Sequence, residues 1–176
     1  MTMMVPLLVV DVQNGFVTNG SQHIVPSVID VVQRWQRRGG PVYCSKFINT
    51  PGSQWERLIG WHRLQSSPET DLVPELAALV GHDRVFEKRS YTSVVGRFLG
   101  DLEAQGWHEV AICGIATDGC VLESAVDLFQ RNVRPVVLVD ACASHAGDEI
   151  HDMGLTLLGR AIGRDQLLTK DTYLAD

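Results

Sequence analysis

Three residues of different chemical type, Asp11, Lys88 and Cys120, occupy positions suited to a catalytic group. Asp11 and Lys88 each follow or end a short apolar run, and Cys120 follows another such run after a short turn. If the runs are parallel strands, their carboxyl ends lie at one edge of a sheet, where open α/β proteins bind ligands. The three side chains are therefore expected to converge.

Their chemistry suits one reaction. A free cysteine is mostly protonated at neutral pH, and a nearby ammonium and a helix N-terminus both favour the thiolate. A carboxylate can take up the thiol proton and return it to a leaving amine. Taken singly, each has an ordinary explanation, since Asp11 could cap a turn and Lys88 could belong to a solvated charge cluster. Their joint occurrence favours Cys120 as nucleophile, Asp11 as acid/base and Lys88 as its partner.

The rest of the chain supplies alternating strands and helices. Strand-like apolar runs occur at 5–10, 41–46, 84–88, 109–114, 135–139 and 166–169, and helical spacing at 26–38, 72–79, 94–105, 121–130 and 149–162. This alternation predicts a three-layer α/β sandwich, a six-stranded, mostly parallel sheet with helices on both faces. We expect the strand order 3-2-1-4-5-6 and one domain over residues 1–176.

One long segment, about 47–70, lacks clear periodicity and contains Trp55 and Trp61. Irregular segments of this length commonly form lids or binding loops. Both tryptophans are therefore candidate pocket residues, although they could equally anchor the core.

The composition narrows the function classes. The 176 residues carry a net charge of −6, and the basic residues are scattered, which argues against nucleic acid as a partner. No long apolar run or signal-like start is present, so we expect no membrane association. The four cysteines show no metal or disulfide spacing. Reduced thiols in a cytoplasmic protein are the expectation.

Cofactor motifs are also lacking. Gly114 and Gly119 have the spacing of a phosphate loop, but Cys120 and Val121 stand where Lys and Ser or Thr are required. No GxGxxG follows the first apolar run. We expect no cofactor and a small-molecule substrate.

Four motifs together resemble the isochorismatase-like cysteine hydrolases, a superfamily that includes nicotinamidases, N-carbamoylsarcosine amidase and isochorismatases. They are DVQNGF at 11–16, KRSYTS at 88–93, GIATDGCV at 114–121 and VDACAS at 139–144. They span most of the chain.

The resemblance implies roles at the matching positions. It implies the Asp11, Lys88 and Cys120 triad, a non-proline cis bond between Ile115 and Ala116, and an oxyanion hole formed by the N–H groups of Ala116 and Cys120. It also implies a homo-oligomer, a dimer or tetramer. Further pocket candidates are Gln13, Phe16 and Tyr91.

The sequence departs from nicotinamidases at one place. Those enzymes carry an Asp-x-His pair after the second strand and a further His, whereas this chain has SKFIN at 45–49. His62 alone falls short of the three protein ligands typical of a catalytic metal. We therefore expect no metal and a metal-independent amidase or ureide hydrolase acting through a thioester.

Two alternatives remain open. An isochorismatase-type enzyme would cleave a vinyl ether with Asp11 as proton donor and without need of Cys120. A non-catalytic binding protein could also use this scaffold, because fold does not dictate chemistry.

Overall fold

A computed structural model describes residues 5–175 and shows a six-stranded, all-parallel sheet in the order 3-2-1-4-5-6. This confirms the predicted fold class and strand order. The strands are β1 (Leu7–Val10), β2 (Val42–Phe47), β3 (Val85–Lys88), β4 (Glu109–Ile115), β5 (Arg134–Ala143) and β6 (Leu167–Leu168). Their central members are apolar on both faces, as expected when helices cover each side.

Seven α-helices accompany the sheet: α1 (Val25–Arg37), α2 (Gln54–Ile59), α3 (Pro74–Ala77), α4 (Gly96–Gln105), α5 (Leu122–Gln130), α6 (Asp148–Ile162) and α7 (Lys170–Tyr173), counted over residues 5–175. From β1 the chain proceeds outward through β2 to β3, then returns to β4 and proceeds the other way. Right-handed crossovers therefore place the helices of the two halves on opposite faces. The direction in which strands are added to the sheet therefore reverses between β1 and β4. Open α/β sheets bind ligands at such a point, outside the carboxyl ends of the strands, so we expect the ligand site there.

Helix α1 illustrates how the pattern sets the packing. Val28, Val31, Val32 and Trp35 recur at helical spacing and are buried, while the opposite face is polar. The indole N–H of Trp35 donates to the carbonyl of Val5 at 2.9 Å, so the buried ring keeps a polar partner. The chain leaves the helix through Gly39 at φ 75°, a conformation that favours glycine.

Several boundaries differ from the sequence expectations. The stretch 72–79 contains only the short helix α3, which begins at Pro74, and the irregular segment contains α2, capped by the Ser53 hydroxyl on the N–H of Glu56. Strand β5 continues well beyond 139, because its register against β4 shifts between Ile112 and Gly114. No helix within residues 5–175 has the length and apolar content that a membrane span needs.

Gly114 marks the closest approach of β4 to β1. Its φ is +123°, and a Cβ placed there would lie 2.1 Å from the carbonyl oxygen of Val10. Since backbone atoms on both sides would have to move, only glycine fits.

We therefore predict that Gly114→Ala lowers the free energy of unfolding by at least about 3 kcal/mol. Urea denaturation followed by circular dichroism measures this. The control is Gly100→Ala within α4, where a Cβ meets nothing within 4 Å, so stability should stay the same or rise by up to about 1 kcal/mol. Equal stability of the two variants would contradict the packing described.

Candidate active site

Asp11 is fully buried at the carboxyl end of β1 and takes two partners. Its Oδ1 accepts a hydrogen bond from the Ser45 hydroxyl at 2.6 Å. Its Oδ2 lies 2.8 Å from Nζ of Lys88, and neither side chain is exposed. Oδ2 accepts no directed hydrogen bond from residues 5–175, so its contact with Lys88 is an ion pair that leaves a lone pair for another donor.

Lys88 reaches Asp11 from β3, on the far side of β2. Its ammonium also donates to the carbonyl oxygens of Ser90 and Tyr91 at 2.9 and 2.7 Å. Its nitrogen lies 5.6 Å from the ring centre of Phe47, a cation–π distance. Three oxygens and an aromatic face thus replace the water that the buried ammonium has lost.

Cys120 lies in the turn that joins β4 to α5. This turn, Thr117–Val121, is π-helical, and the N–H of Val121 bonds to the carbonyl of Ala116 at 3.0 Å. The preceding Ile115–Ala116 peptide bond is cis. Cys120 is 8% exposed and, like Ala116, lines a cavity.

The thiol of Cys120 differs from the sequence expectation of a resting thiolate. Burial raises its pKa well above the ordinary value, and the charge of Asp11 raises it further, while Lys88 lowers it. The ammonium is already neutralised by Asp11, so it cannot offset the lost hydration. Burial therefore favours the neutral thiol, so attack by the sulfur calls for a base.

A serine network holds the acid in place. Ser45 donates to Asp11, so its contact with Ser93 at 3.0 Å requires the Ser93 hydroxyl to donate to Ser45. The N–H of Ser93 bonds to the Ser124 hydroxyl at 2.8 Å, and that hydroxyl donates to the carbonyl of Cys120 at 2.6 Å. A buried chain of bonds thus joins the carboxylate to the turn bearing the thiol.

The cavity above these groups measures about 250 Å³ and is bounded mainly by aromatic rings. Its lining is Phe16, Phe47, Trp55, Ile59, Trp61, Tyr91, Ala116, Asp118, Gly119, Cys120 and His145. Phe16 and Trp61 stack at 5.8 Å, and Phe47 meets Trp55 at 4.9 Å. The volume is below the usual range for drug-sized ligands, which indicates a small ligand.

A larger cavity of about 790 Å³ lies at the opposite, amino-terminal ends of the strands, next to the start of β2. It is lined by Tyr43, Arg84, Arg97 and Asp101 among others, and contains none of the three candidate catalytic residues. The smaller cavity is the candidate active site because Cys120 lines it.

Four predicted pocket residues, Phe16, Trp55, Trp61 and Tyr91, line this cavity. Gln13 does not, and its assignment as a pocket residue is corrected. Its amide nitrogen donates to the carbonyls of Phe47 and Thr70, and its oxygen accepts from the N–H of Phe47. Both polar atoms of the side-chain amide are therefore used, and they tie the segment 47–70 to the loop after β1.

The sequence reasoning missed Phe47, Asp118 and His145 as pocket residues, and Ser45 and Ser93 as supports. His145 follows the carboxyl end of β5, so the rule that selected Asp11 would have found it had that strand been extended to Ala143. Phe47 ends β2 in the same way. The serine contacts depend on side-chain directions that sequence spacing does not give.

The comparisons with known proteins fit this geometry. A family model described as "Isochorismatase domain" matches residues 6–165. The chain belongs to the isochorismatase family. Nicotinamidase 3 of Arabidopsis thaliana is 26% identical over 171 residues, covering 94% of this chain and 84% of that protein.

Solved structures of the isochorismatase family share the fold. An isochorismatase-like hydrolase from Alkaliphilus metalliredigens superposes with a TM-score of 0.81 at 23% identity, covering 97% of each chain. N-carbamoylsarcosine amidase from Thermoplasma acidophilum gives a TM-score of 0.76 at 26% identity, over 89% of this chain and 94% of that one.

The positions at which the resemblance to nicotinamidases directs a search for metal ligands do not fit a metal. Phe47 presents a ring to the cavity, and the amide of Asn49 donates to the carbonyls of Trp61 and Arg63. His62 has a side chain 68% exposed and is paired with Glu56 at 3.2 Å. Within residues 5–175, no cluster of three or more His, Cys, Asp or Glu side chains could hold an ion.

The opposing effects of Asp11 and Lys88 predict an unusual result for Asp11→Asn. Removing the carboxylate charge leaves Lys88 acting alone on the thiol, so the pKa of Cys120 should fall. Alkylation of Cys120 by iodoacetamide, followed by peptide mass spectrometry over a range of pH, should then begin to accelerate at a lower pH than in the wild type.

The matched control is Asp83→Asn, an exposed acid beside the larger cavity, which should not change the rate. Circular dichroism should establish that both variants are folded. A pH dependence that is unchanged or shifted to higher pH in folded Asp11→Asn would refute the electrostatic description of the thiol.

Proposed function

We propose that this chain is a cysteine hydrolase that cleaves the C–N bond of a small amide or ureide through a thioester on Cys120. The observation that carries the proposal is the position of Cys120, at the cavity surface and within the charge influence of the buried Asp11–Lys88 pair. Sequence similarity to a nicotinamidase supports C–N bond cleavage. Because the metal-ligand positions do not fit an ion, the proposed chemistry uses protein groups alone.

In the first step the sulfur of Cys120 attacks the substrate carbonyl carbon, and Asp11 takes the thiol proton. The raised pKa of Cys120 makes this coupled transfer necessary, because little thiolate exists beforehand. Oδ2 of Asp11 is suited to the task, since it has an unused lone pair. Lys88, whose Nζ lies 2.8 Å from Oδ2, holds the carboxylate in position.

The carbonyl oxygen becomes an oxyanion in the tetrahedral intermediate. We assign its stabilisation to the N–H groups of Ala116 and Cys120, both of which belong to residues that line the cavity. Asp11 then gives its proton to the nitrogen, the C–N bond breaks, and ammonia or an amine leaves. The acyl group remains bound to sulfur.

In the second step water attacks the thioester carbonyl while Asp11 accepts one of its protons. The C–S bond breaks, and the proton returns to the sulfur. The acid product is released with Asp11 ionised and Cys120 protonated, as in the resting site.

Substitution of Cys120 tests this chemistry. Cys120→Ala should reduce amide turnover by at least about 10³-fold, because the sulfur that forms the thioester is removed. Acid quenching of the wild type with a panel of amides and ureides should show the acyl mass on the Cys120 peptide. Cys44→Ala, which removes a buried thiol on β2, is the control and should retain turnover.

Survival of activity in Cys120→Ala would contradict the amidase proposal. If that activity consumed a vinyl ether, Asp11 would act as a proton donor alone. Absence of both an adduct and turnover across the panel would favour a non-catalytic role.

Ser45 provides a second test, since its hydroxyl orients Asp11. Ser45→Ala should lower kcat about ten- to hundredfold with little change in KM, because the substrate does not touch Ser45. Ser90→Ala is the control, since Ser90 contacts Lys88 through its main-chain carbonyl. Equal kcat values for the two variants would show that the Ser45 hydroxyl does not orient Asp11 for catalysis.

A further inference from the structure

Asp118 lines the active-site cavity two residues before Cys120, and the reaction described above does not use it. Its Oδ1 is buried and accepts no hydrogen bond from any residue in the described range 5–175. A buried acceptor without a donor is costly, so such atoms in native proteins usually serve a ligand, an ion or an ordered water. Because Asp118 lines the cavity, its carboxylate charge lies next to any ligand bound there.

The charge balance of the cavity supports a cationic donor. Among residues 5–175, Asp118 is the only Asp, Glu, Lys or Arg that lines the cavity, and the Asp11–Lys88 pair beneath it is neutral overall. His145 does not compensate, because loss of hydration lowers its pKa and leaves the imidazole neutral at pH 7. The charge of Arg63 also lowers the pKa of His145. This guanidinium is itself paired with Glu69 at 2.8 Å.

The aromatic side chains that line the cavity also favour a cationic ligand. Rings follow one another in contact around the cavity, from His145 through Phe16, Trp61, Phe47 and Trp55 to Tyr91. The faces of aromatic rings carry negative potential and attract organic cations. A cavity walled by aromatic rings and containing one carboxylate is a suitable environment for an ammonium or guanidinium group.

We propose that Asp118 and these rings form a subsite for a positively charged N–H group of the substrate, so that the preferred substrates are small cationic amides. The inference rests on the proposed function, because it names the substrate class of the same site. Asp118 and Cys120 are two residues apart in a helical turn, so their Cα atoms are about 5 Å apart. The charge should therefore be separated from the reacting carbonyl by a short linker.

The opposite charge is disfavoured by the same features. A carboxylate-bearing substrate would lie beside Asp118 and among negative ring faces, and no Lys or Arg lines the cavity within the described residues to hold it. An anionic vinyl ether is therefore a disfavoured substrate for this cavity.

The test compares isosteric amides that differ only in charge. β-Alaninamide and its longer ω-amino homologues are matched with alkanamides in which a methyl group replaces the ammonium. For the wild type, kcat/KM should be at least about tenfold higher for the best cationic amide than for its neutral match, the effect expected of a charge-assisted hydrogen bond. In Asp118→Asn this ratio should fall close to one.

Glu123→Gln is the matched control. Glu123 is an exposed acid in the first turn of α5, outside the cavity lining, so the same charge change occurs a few residues away. It should leave the ratio as in the wild type. Asp118→Glu keeps the charge and should retain part of the preference.

A binding measurement separates the two proposals. Calorimetry on Cys120→Ser, which retains the cavity, should show tighter binding of the cationic amide than of its neutral match, and Asp118→Asn in that background should abolish the difference. If neutral amides acylate Cys120 but cationic ones gain nothing in rate or binding, the subsite is refuted while the hydrolase proposal stands. If cationic amides bind through Asp118 but no amide acylates Cys120, the hydrolase proposal fails instead.

Discussion

The buried ion pair between Asp11 and Lys88 is the interaction on which the site depends. Two charges with no exposure to solvent carry a large desolvation cost, which their mutual attraction offsets only when further polar partners are present. Ser45 supplies one partner to the acid, and the carbonyls of Ser90 and Tyr91 supply two to the base. The sheet must bring β1, β2 and β3 into register for these contacts to exist together.

The same pair explains why Cys120 is held near its base as a neutral thiol. Lys88 is occupied by Asp11 and two carbonyls, so burial dominates the ionisation of the sulfur. A thiol of this kind is protected from indiscriminate reaction and depends on Asp11 at the moment of attack. The cavity can therefore be apolar and aromatic, because it does not have to hold the unpaired charge of a thiolate.

Much of the arrangement follows from sequence because parallel strands end at a common edge. Apolar runs ending near Asp11 and Lys88, with a short turn before Cys120, placed all three residues correctly relative to one another. The sequence argument for a thiolate at Cys120 included the effect of Lys88 but not that of burial, which raises the pKa and is a property of the packed structure. Gln13 was misassigned for a related reason, because only the fold shows that its amide is consumed by main-chain groups. The length of β5 depends on a register shift that periodicity does not reveal.

A crystal structure of Cys120→Ala with a bound amide would test the central claim most directly. The account predicts that the carbonyl carbon lies over the position vacated by sulfur, with its oxygen bonded to the N–H groups of residues 116 and 120. The departing nitrogen should lie within hydrogen-bond distance of Oδ2 of Asp11. An amide bound with that nitrogen away from Asp11, while its carbonyl points out of the turn, would contradict it.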